Sequence, residues 1–320
     1  MPLPRLNDAI RSQCWVDREK KCDSRIWFSI PGSKHVDNRF YKSSSRSFVN
    51  VSVTGSRCAL SCEHCNRNLL RTMIPAETPE RLKQIAELLA GQGGRGMLVS
   101  GGADSRGGVP LAMFADAIRH ARSLGLVVLA HTGIIEKSTA ERLKESGVDQ
   151  VLMDVIGHRR TIRDVYHLNR APDDYLDAMR ICREAGLDVV PHVVVGLHFG
   201  QVLGEYNALK MIREAGVQSL VLVVLNPMPG TGMASEALPP FSDVERVFSC
   251  ARMWNPEVFL SLGCARPPGP YSRRVETLAV DCGFNGIAFP GEAAIDHAIR
   301  QGLDPVFQHG CCSLAGRILL

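Results

Sequence analysis

The apolar residues of this chain are grouped in a pattern that predicts eight strands alternating with eight helices. The predicted strands are short, nearly continuous apolar runs that are rich in β-branched residues and commonly end at glycine. Such runs are typical of parallel strands, because helices cover both faces of a parallel sheet. The predicted strands are residues 47–55, 96–102, 126–133, 148–157, 187–196, 217–227, 257–264 and 284–291.

A stretch with helical periodicity follows each predicted strand. The first, "TPERLKQIAELLAG", begins with Thr-Pro and ends at glycine, which are start and stop signals of a helix. Turns such as "AG" and "SG" then lead into the next strand, as expected at helix ends. The predicted helices are residues 78–91, 109–125, 138–147, 172–186, 204–216, 241–255, 271–283 and 292–302.

These eight units predict an α/β fold of the (β/α)8, or TIM-barrel, type. We assign residues 47–302 to the barrel, residues 1–46 to an N-terminal extension and residues 303–320 to a C-terminal tail. A doubly wound open sheet is the alternative, since strand–helix alternation does not by itself require closure. In a barrel the functional residues lie at the carboxyl ends of the strands.

Composition narrows the classes of function. The chain has 320 residues, of which 45% are hydrophobic and 22% charged, and this is sufficient for a large core. Its net charge of +4 is small and shows no basic block, so we expect no nucleic acid partner. The apolar runs are too short to span a bilayer, and the N-terminal residues lack the apolar segment of a signal peptide. We therefore expect no membrane association and a cytoplasmic location.

Three of the eleven cysteines are grouped directly after the first predicted strand. Cys58, Cys62 and Cys65 have the spacing C-x3-C-x2-C, in a loop whose glycine and serine content is a poor setting for buried structural thiols. Clustered thiolates bind zinc or iron–sulfur clusters. A structural zinc site normally has four protein ligands, and no second cysteine pair follows at a suitable spacing. The three thiolates therefore predict a metal centre with one position left for another ligand.

In this context the motif resembles that of the radical S-adenosylmethionine (SAM) enzymes, whose fold is a full or partial (β/α) barrel. The resemblance implies that Cys58, Cys62 and Cys65 bind three irons of a [4Fe–4S] cluster, and that the amino and carboxylate groups of SAM bind the fourth iron. It also implies that an electron from the cluster cleaves SAM and yields a 5′-deoxyadenosyl radical.

Other segments resemble the SAM-binding parts of that family. A histidine precedes the last cysteine, where the family packs an aromatic residue or histidine on adenine. "SGGAD" resembles the GGE segment without its glutamate, and "VVVGLHFGQVLGE" and "NPMPGTGM" resemble the segments beside adenine. An aspartate at the end of the fourth strand is the candidate for the ribose hydroxyls. The implied SAM-binding residues are His64, Gly101, Gly102, Ala103, Asp154 and Gly196.

The stretches "SVTGSRC" and "LSLGCARPPG" resemble the biotin-synthase-related branch. Within it the chain is most similar to a subunit of the two-component lipoyl synthases, through "PHVVVGLHFGQVLGE", "GCARPPGP" and "GCCSL". The implied activity is sulfur insertion into an octanoyl chain, with a second [4Fe–4S] cluster as the sulfur donor. The implied partners are a carrier of that chain (a lipoyl domain or a glycine cleavage H-type protein), a second radical SAM subunit, and a reductant such as ferredoxin or flavodoxin. The alternatives are biotin-synthase-type sulfur insertion, methylation or cofactor maturation, and a non-enzymatic zinc protein.

The predicted ligands of the second cluster are Cys22, Cys264, Cys311 and Cys312, with Cys14 as the alternative to Cys22. One of them ends the seventh predicted strand, and the adjacent pair lies in a tail that we expect to fold over the barrel mouth. A single cysteine is otherwise often a small buried hydrophobe. We prefer that interpretation for three cysteines within or at the end of helices, which are Cys182, Cys250 and Cys282.

Four further features have two interpretations each. His131 ends the third predicted strand and His192 lies within the fifth, so both are candidates to face the site, although the apolar run around His192 favours a core residue. Arg266 would either contact the second cluster or a carboxylate, or form a salt bridge. Residues 157–170 are the most basic segment, which is either a solvated loop or a docking patch for an acidic carrier domain.

Overall fold

A computed structural model of the protein describes residues 8–19, 23–32, 35–43 and 47–316. The strands are β1 (Arg25–Ser29), β2 (Phe48–Ser52), β3 (Ile74–Pro75), β4 (Gly96–Ser100), β5 (Val127–His131), β6 (Gln150–Asp154), β7 (Val189–Val195), β8 (Ser219–Val224), β9 (Phe259–Leu262), β10 (Gly286–Ala288) and β11 (Asp304–Gln308). The helices are α1 (Asp8–Glu19), α2 (Pro79–Gly91), α3 (Ala115–Ser123), α4 (Lys137–Glu145), α5 (Arg159–Tyr166), α6 (Pro172–Glu184), α7 (Glu205–Ala215), α8 (Phe241–Trp254), α9 (Pro270–Asp281) and α10 (Glu292–Arg300). Among the helices described, none combines the length and the hydropathy that crossing a membrane requires.

All of these strands belong to one parallel sheet with the order β11-β1-β10-β9-β8-β7-β6-β5-β4-β2-β3. From β4 to β10, each strand lies beside the next one in the sequence, and helices form the crossover connections. Parallel neighbours require such crossovers, which is why the sequence alternates so regularly. The predicted α/β fold of the TIM-barrel type is confirmed, and each of the eight predicted strands and eight predicted helices is present.

The last of the eight predicted strands, β10, does not pair with the first of them, β2, as it would in a ring of eight. Within the described residues, β10 pairs with β1, where Trp27 lies opposite Gly286, and β1 pairs in turn with β11. Two segments that the sequence analysis placed outside the barrel therefore supply strands. The segment "RIWFS" has only five residues and stands next to charged ones, so its pattern does not distinguish it from a loop. The division into extension, barrel and tail remains a prediction.

Helix α2 shows how the local sequence fixes an element boundary. The Thr78 side chain accepts a hydrogen bond from the backbone N–H of Arg81 (3.2 Å), and Pro79 occupies the first turn. A capping hydroxyl and an early proline both favour a helix start at this point, because neither sacrifices an intrahelical hydrogen bond.

Helix α5 lies in the basic segment and was not among the predicted helices. It buries Thr161, Ile162, Val165 and Tyr166 and turns its arginines outward. With only eight residues, its apolar stripe covers two turns and is masked in the sequence by the surrounding charges. Because α5 directly follows the end of β6, it forms part of the wall at the carboxyl end of the sheet.

Candidate metal and cofactor site

The loop after β2 carries the three-cysteine motif and is fixed by hydrogen bonds to three other segments. The backbone N–H of Ala59 donates to the carbonyl of Ala103, after β4, over 2.8 Å. The N–H of Glu63 donates to the carbonyl of Val165 in α5 (2.9 Å), and its carbonyl accepts from the N–H of Met233, after β8 (3.2 Å). The motif is therefore positioned by the carboxyl ends of distant strands.

The backbone of this loop turns sharply around the second and third cysteines. Ser61, Asn66 and Arg67 have φ values of 49°, 40° and 64°, in the left-handed region. That region costs a non-glycine residue on the order of 1–3 kcal/mol and persists only where the surroundings enforce it. The N–H groups of Cys65 and Asn66 both donate to the carbonyl of Cys62, over 3.1 and 2.8 Å. This turn brings the side chains of Cys62 and Cys65 together.

Cys62, His64 and Cys65 each place a ligand atom within 4.8 Å of the others. Cys62 is 5% exposed, whereas His64 and Cys65 are half-buried. A hydrogen bond from the Cys62 thiol is the main cause that lowers the pKa of Cys65 to about 4, and His64 adds to it. The same hydrogen bond, with burial, raises the pKa of Cys62. Cys58 is half-buried and lies outside this group, although its charge also raises the pKa of Cys62.

This donor set fits the predicted iron–sulfur cluster. One loop supplies three thiols, the ligand type that such clusters require. The buried Nδ1 of His64 also makes no hydrogen bond to any part of the chain that the structure describes, and a bound cofactor would satisfy such an atom. The ligand roles of the three cysteines and the contact of His64 with adenine remain predictions.

The predicted SAM-binding segment 101–103 lies directly against the cysteine loop. The backbone N–H of Gly102 donates to the Thr54 hydroxyl over 2.7 Å. A Cβ at Gly102 would lie 1.9 Å from the carbonyl oxygen of Arg57 and 2.5 Å from the Cβ of Cys58. Glycine is therefore required here by close packing, and the packing joins the two segments that the resemblance assigns to one cofactor.

Asp104 does not take the place of the glutamate that the GGE segment lacks. Its Oδ1 atom accepts hydrogen bonds from the backbone N–H groups of Arg106 (2.8 Å) and Gly108 (3.1 Å). The carboxylate therefore closes its own turn, as aspartate commonly does in loops. The backbone of residues 101–103 is left as the candidate partner of the SAM amino group.

A chain of polar contacts leads from the cysteine loop into the sheet. The rings of His64 and Tyr166 are 5.1 Å apart, and the Tyr166 hydroxyl donates to Oδ2 of Asp154 over 3.2 Å. Nε2 of His131 lies 3.8 Å from Oδ1 of Asp154, and the His131 ring lies 5.9 Å from that of His192. Both histidines therefore share a face of the sheet with Asp154. Sequence analysis missed Tyr166, whose place in the basic segment gave no sign of this role.

Gly196 ends β7 in a turn that a buried carboxylate stabilises. It has a φ of 81°, and its N–H donates to Oε1 of Glu205 over 2.7 Å. The other oxygen of Glu205 accepts from the N–H groups of Leu203 and Gly204, each over 2.9 Å. Burial raises the pKa of Glu205, and these three donors oppose that effect. Glu205 thus fixes the backbone that the resemblance places against adenine, and the sequence analysis did not identify it.

The three described cysteines of the predicted second cluster also lie at the carboxyl end of the sheet. Cys264 follows β9 and is exposed, whereas Cys311 and Cys312 follow β11 and are half-buried and 4% exposed, respectively. The Cys312 thiol lowers the pKa of Cys311 to about 6 by a hydrogen bond, which raises the pKa of Cys312. Cys264 is close enough for its charge to raise the pKa of Cys312 further.

The ligand atoms of this second group are less closely clustered than those of the first group. Among the His, Cys, Asp and Glu side chains of the described ranges, only Cys62, His64 and Cys65 have ligand atoms that all lie within 4.8 Å of one another. Cys22 lies outside the described residues, so its role stays a prediction. Cys14 is fully buried in α1, with its carbonyl beside Gly283 just before β10. The alternative of Cys14 as a ligand is therefore wrong, since α1 holds it at the amino end of the strands.

Arg266 forms a salt bridge rather than a cluster contact. Its Nη2 lies 2.9 Å from Oε1 of Glu276, and both side chains are buried. The guanidinium also donates to the carbonyls of Gly263 (2.8 Å), Ala288 (2.7 Å) and Phe289 (2.8 Å). All of these bonds lie within the protein, so Arg266 joins the ends of β9 and β10 through α9.

The described part of the tail, residues 303–316, packs against strands of the sheet. After the cysteine pair, Ala315 packs against Trp27 and Phe259, which lie on strands β1 and β9. The tail therefore turns back along the sheet, because this apolar surface would otherwise be exposed. The cysteine pair is left at the bend.

Comparison with known proteins finds similarity to one superfamily over part of the chain. Residues 52–200 match the Radical SAM superfamily. The chain is 25% identical over 254 residues to a biotin synthase from Sorangium cellulosum, a match that covers 75% of this chain and 69% of the relative. The structure of HydG, a maturase of the [FeFe]-hydrogenase, covers 95% of this chain and 70% of its own, with a TM-score of 0.65 and 16% identity. Methylornithine synthase (PylB) covers 93% and 88%, with a TM-score of 0.63 and 14% identity. At these identities the two structures show the shared fold alone.

Proposed function

We propose that this radical SAM enzyme, which is similar to biotin synthases, inserts sulfur into the C–H bonds of an octanoyl chain on a carrier protein. It would act in the cytoplasm as one component of a lipoyl synthase. The supporting observation is the second group of cysteines, Cys264, Cys311 and Cys312, at the same end of the sheet as the first. Parallel strands bring their carboxyl ends together, so the two groups flank one mouth.

The chemistry explains why two groups would be needed. When bound, the first cluster supplies the electron that cleaves SAM to a 5′-deoxyadenosyl radical. A substrate carbon that has lost a hydrogen atom then requires a sulfur atom within bonding distance, and free sulfide would be poorly positioned. A sulfur donor held by Cys264, Cys311 and Cys312 would stand beside the substrate in a fixed place.

The residues of the first site have positioning roles in this proposal. The loop around Cys62 is held by the carboxyl ends of β4 and β8 and by α5, so its thiols are preorganised for the cluster. The rings of His64 and Tyr166 lie against each other at a tilt of 38°, and the Tyr166 hydroxyl donates a hydrogen bond to Asp154. Burial of Cys62 keeps water from that thiol.

The exposed face of α5 supports the proposed carrier. Arg159, Arg160 and Arg163 are exposed on it, and its opposite face packs beside the cysteine loop. Arg163 pairs with Asp164, which leaves the other two arginines to add positive potential near the mouth. Such a surface would attract an acidic lipoyl domain or H-type protein. A second radical SAM subunit and a ferredoxin or flavodoxin reductant complete the proposed partners.

Biotin-synthase-type sulfur insertion is the second candidate. The observation in its favour is the similarity to biotin synthases, which extends over three-quarters of the chain in the match described above. Both candidates use the same two groups of cysteines. They differ in the substrate that must fit between them.

The test compares wild-type protein with a Cys311→Ala/Cys312→Ala variant after anaerobic reconstitution. An octanoylated lipoyl domain and dethiobiotin are supplied separately, and the sulfur content of the product is measured by mass spectrometry. We expect sulfur insertion into the octanoyl chain by wild type, and loss of insertion with SAM cleavage retained in the variant. Cys182→Ala, in a buried helical position, is the matched control. Wild-type insertion by the variant would refute the donor role, and reaction of dethiobiotin alone would favour the second candidate.

A further inference from the structure

His192 presents a hydrogen-bond acceptor that no described protein group uses. Its Nδ1 lies 3.1 Å from the carbonyl oxygen of Val190, and a carbonyl can only accept, so Nδ1 carries a proton. Burial, and then the nearby His131, lower the pKa of His192 to about 4, so the ring is neutral near pH 7. Nε2 must therefore carry a lone pair. Within the described residues, Nε2 makes no hydrogen bond.

This nitrogen belongs to the wall of the candidate site. His192 and Asp154 are register partners on β7 and β6, so their side chains leave the sheet on the same face. That face also carries His131, and Asp154 connects it through Tyr166 to His64. His192 is half-buried, so a ligand can reach it from the mouth.

An apolar strip leads from His192 toward the second cysteine group. Val221 is the register partner of His192 on β8, and Val223 follows two residues later on the same face. Both valines contact Gly263, where a Cβ would lie 2.5 Å from Val223 Cγ1 and 2.7 Å from Val221 Cγ1. Cys264 is the next residue. Val221 is 1% and Val223 8% exposed, so the alkyl surface that a ligand can reach between His192 and Cys264 is confined to Val223.

A metal ion is a poorer occupant of this wall than a substrate. Of the described side chains, the three whose ligand atoms converge within 4.8 Å are Cys62, His64 and Cys65, and neither His131 nor His192 is among them. A ligand with an N–H group attached to an alkyl chain matches both the lone pair and the apolar strip.

We propose that Nε2 of His192 accepts a hydrogen bond from the amide N–H that joins the octanoyl chain to its carrier, and that this contact makes His192 a specificity residue for amide-linked chains. The alkyl chain would then pass Val223 toward Cys264. This inference rests on the proposed function, because it assumes that substrate as the occupant of the wall.

The test measures binding, without turnover, to the reconstituted full chain. The probes are a peptide that contains octanoyl-lysine and the same peptide with the amide N–H replaced by an ester oxygen. We expect wild type to bind the amide about three- to tenfold more tightly than the ester, as one hydrogen bond allows. His192→Leu should bring the ratio of the two dissociation constants to about one, and His192→Gln, which keeps an acceptor, should restore part of it. His120→Leu, on α3 beside Glu87, is the matched surface control and should keep the wild-type ratio.

The ratio is informative because a general loss of folding weakens both peptides equally. Equal binding of the two peptides by wild type, failure to bind either one, or an unchanged ratio in His192→Leu would each overturn the inference. The failure of the proposed function looks different. Selective binding of the amide without any sulfur-containing product would leave this inference standing, and equal sulfur insertion into both peptides would leave the function standing without it.

Discussion

The loop after β2 and the tail after β11 both hold cysteines at the carboxyl end of the sheet, but by different means. In the loop, one short motif supplies Cys58, Cys62 and Cys65, and hydrogen bonds to three distant segments fix its backbone. In the second region, Cys264 comes from β9 and the adjacent Cys311 and Cys312 come from the tail. Their proximity depends on how the sheet and the tail are assembled.

The two regions also differ in compactness and charge. Cys62 and Cys65 share a hydrogen bond beside His64, and their ligand atoms converge within 4.8 Å. In the second region Cys264 is exposed, while Cys312 is 4% exposed. In the first site the turn already brings Cys62, His64 and Cys65 together, with Cys58 outside that group, whereas no three ligand atoms of the described second region lie within that distance. The two should respond differently to substitution.

The largest expected effect is on the loop itself. Replacing Cys58, Cys62 and Cys65 together by alanine removes the predicted ligands of the cluster that cleaves SAM. We expect 5′-deoxyadenosine formation, measured by chromatography after anaerobic reconstitution, to fall to background. Cys250→Ala, which removes a buried helical thiol, should retain cleavage. Undiminished cleavage in the triple variant would show that the loop is not the site.

The stability of the fold around the second cysteine group should depend on the buried Arg266–Glu276 pair. Arg266→Met leaves Glu276 as a buried charge without its partner, which typically costs about 3–5 kcal/mol in the free energy of unfolding. Urea denaturation measures that loss. Arg180→Met is the control, because its pair with Glu214 is exposed and contributes little. Equal losses of unfolding free energy in both variants would contradict a stabilising role of the buried Arg266–Glu276 pair.

Gly102→Ala tests how closely the loop is packed. The added Cβ would collide with the Arg57 carbonyl and with Cys58, so the loop must shift. Displacements near 1 Å at a reacting centre can lower rates by about a hundredfold, and we expect SAM cleavage to fall about ten- to a hundredfold. Gly91→Ala, at an open position in α2, should be neutral. Normal cleavage by Gly102→Ala would contradict the packing argument.

The smallest expected effect comes from His192. Its pKa is about 4 in the folded protein and 6.5 when unperturbed, so between these values the unfolded chain binds a proton that the folded chain does not. Stability attributable to this group is therefore present above pH 6.5 and lost as the pH falls toward 4. We expect a loss of about 1–2 kcal/mol, since the ring is only half-buried. The pH dependence of unfolding in His192→Phe should lack this component, and an identical dependence would refute the assignment.

The fold and the position of the cysteine loop were predictable from the sequence because their signals are local. The regular alternation of apolar runs and helical stretches predicted all eight strand–helix units, and the C-x3-C-x2-C spacing marked the loop. What the sequence did not reveal depends on contacts between distant segments. β1 and β11 become strands only through pairing with β10 and with each other.

The same reason explains the missed residues of the site. Tyr166 acquires its role by reaching Asp154 from α5, and Glu205 acquires its role by reaching back to Gly196. Neither contact produces a recognisable residue spacing in the sequence. The sequence analysis left open whether Arg266 contacts a cluster or a carboxylate, or forms a salt bridge. The structure shows the salt bridge, because Arg266 is buried beside Glu276.

The central claim is that the two cysteine groups hold two separate clusters. The most direct measurement is the iron and sulfide content of the Cys58→Ala/Cys62→Ala/Cys65→Ala variant after anaerobic reconstitution. The account predicts that this variant retains about four irons per chain, and that adding Cys311→Ala and Cys312→Ala removes them. A triple variant that retains no iron would contradict the account, since only one cluster site would then exist.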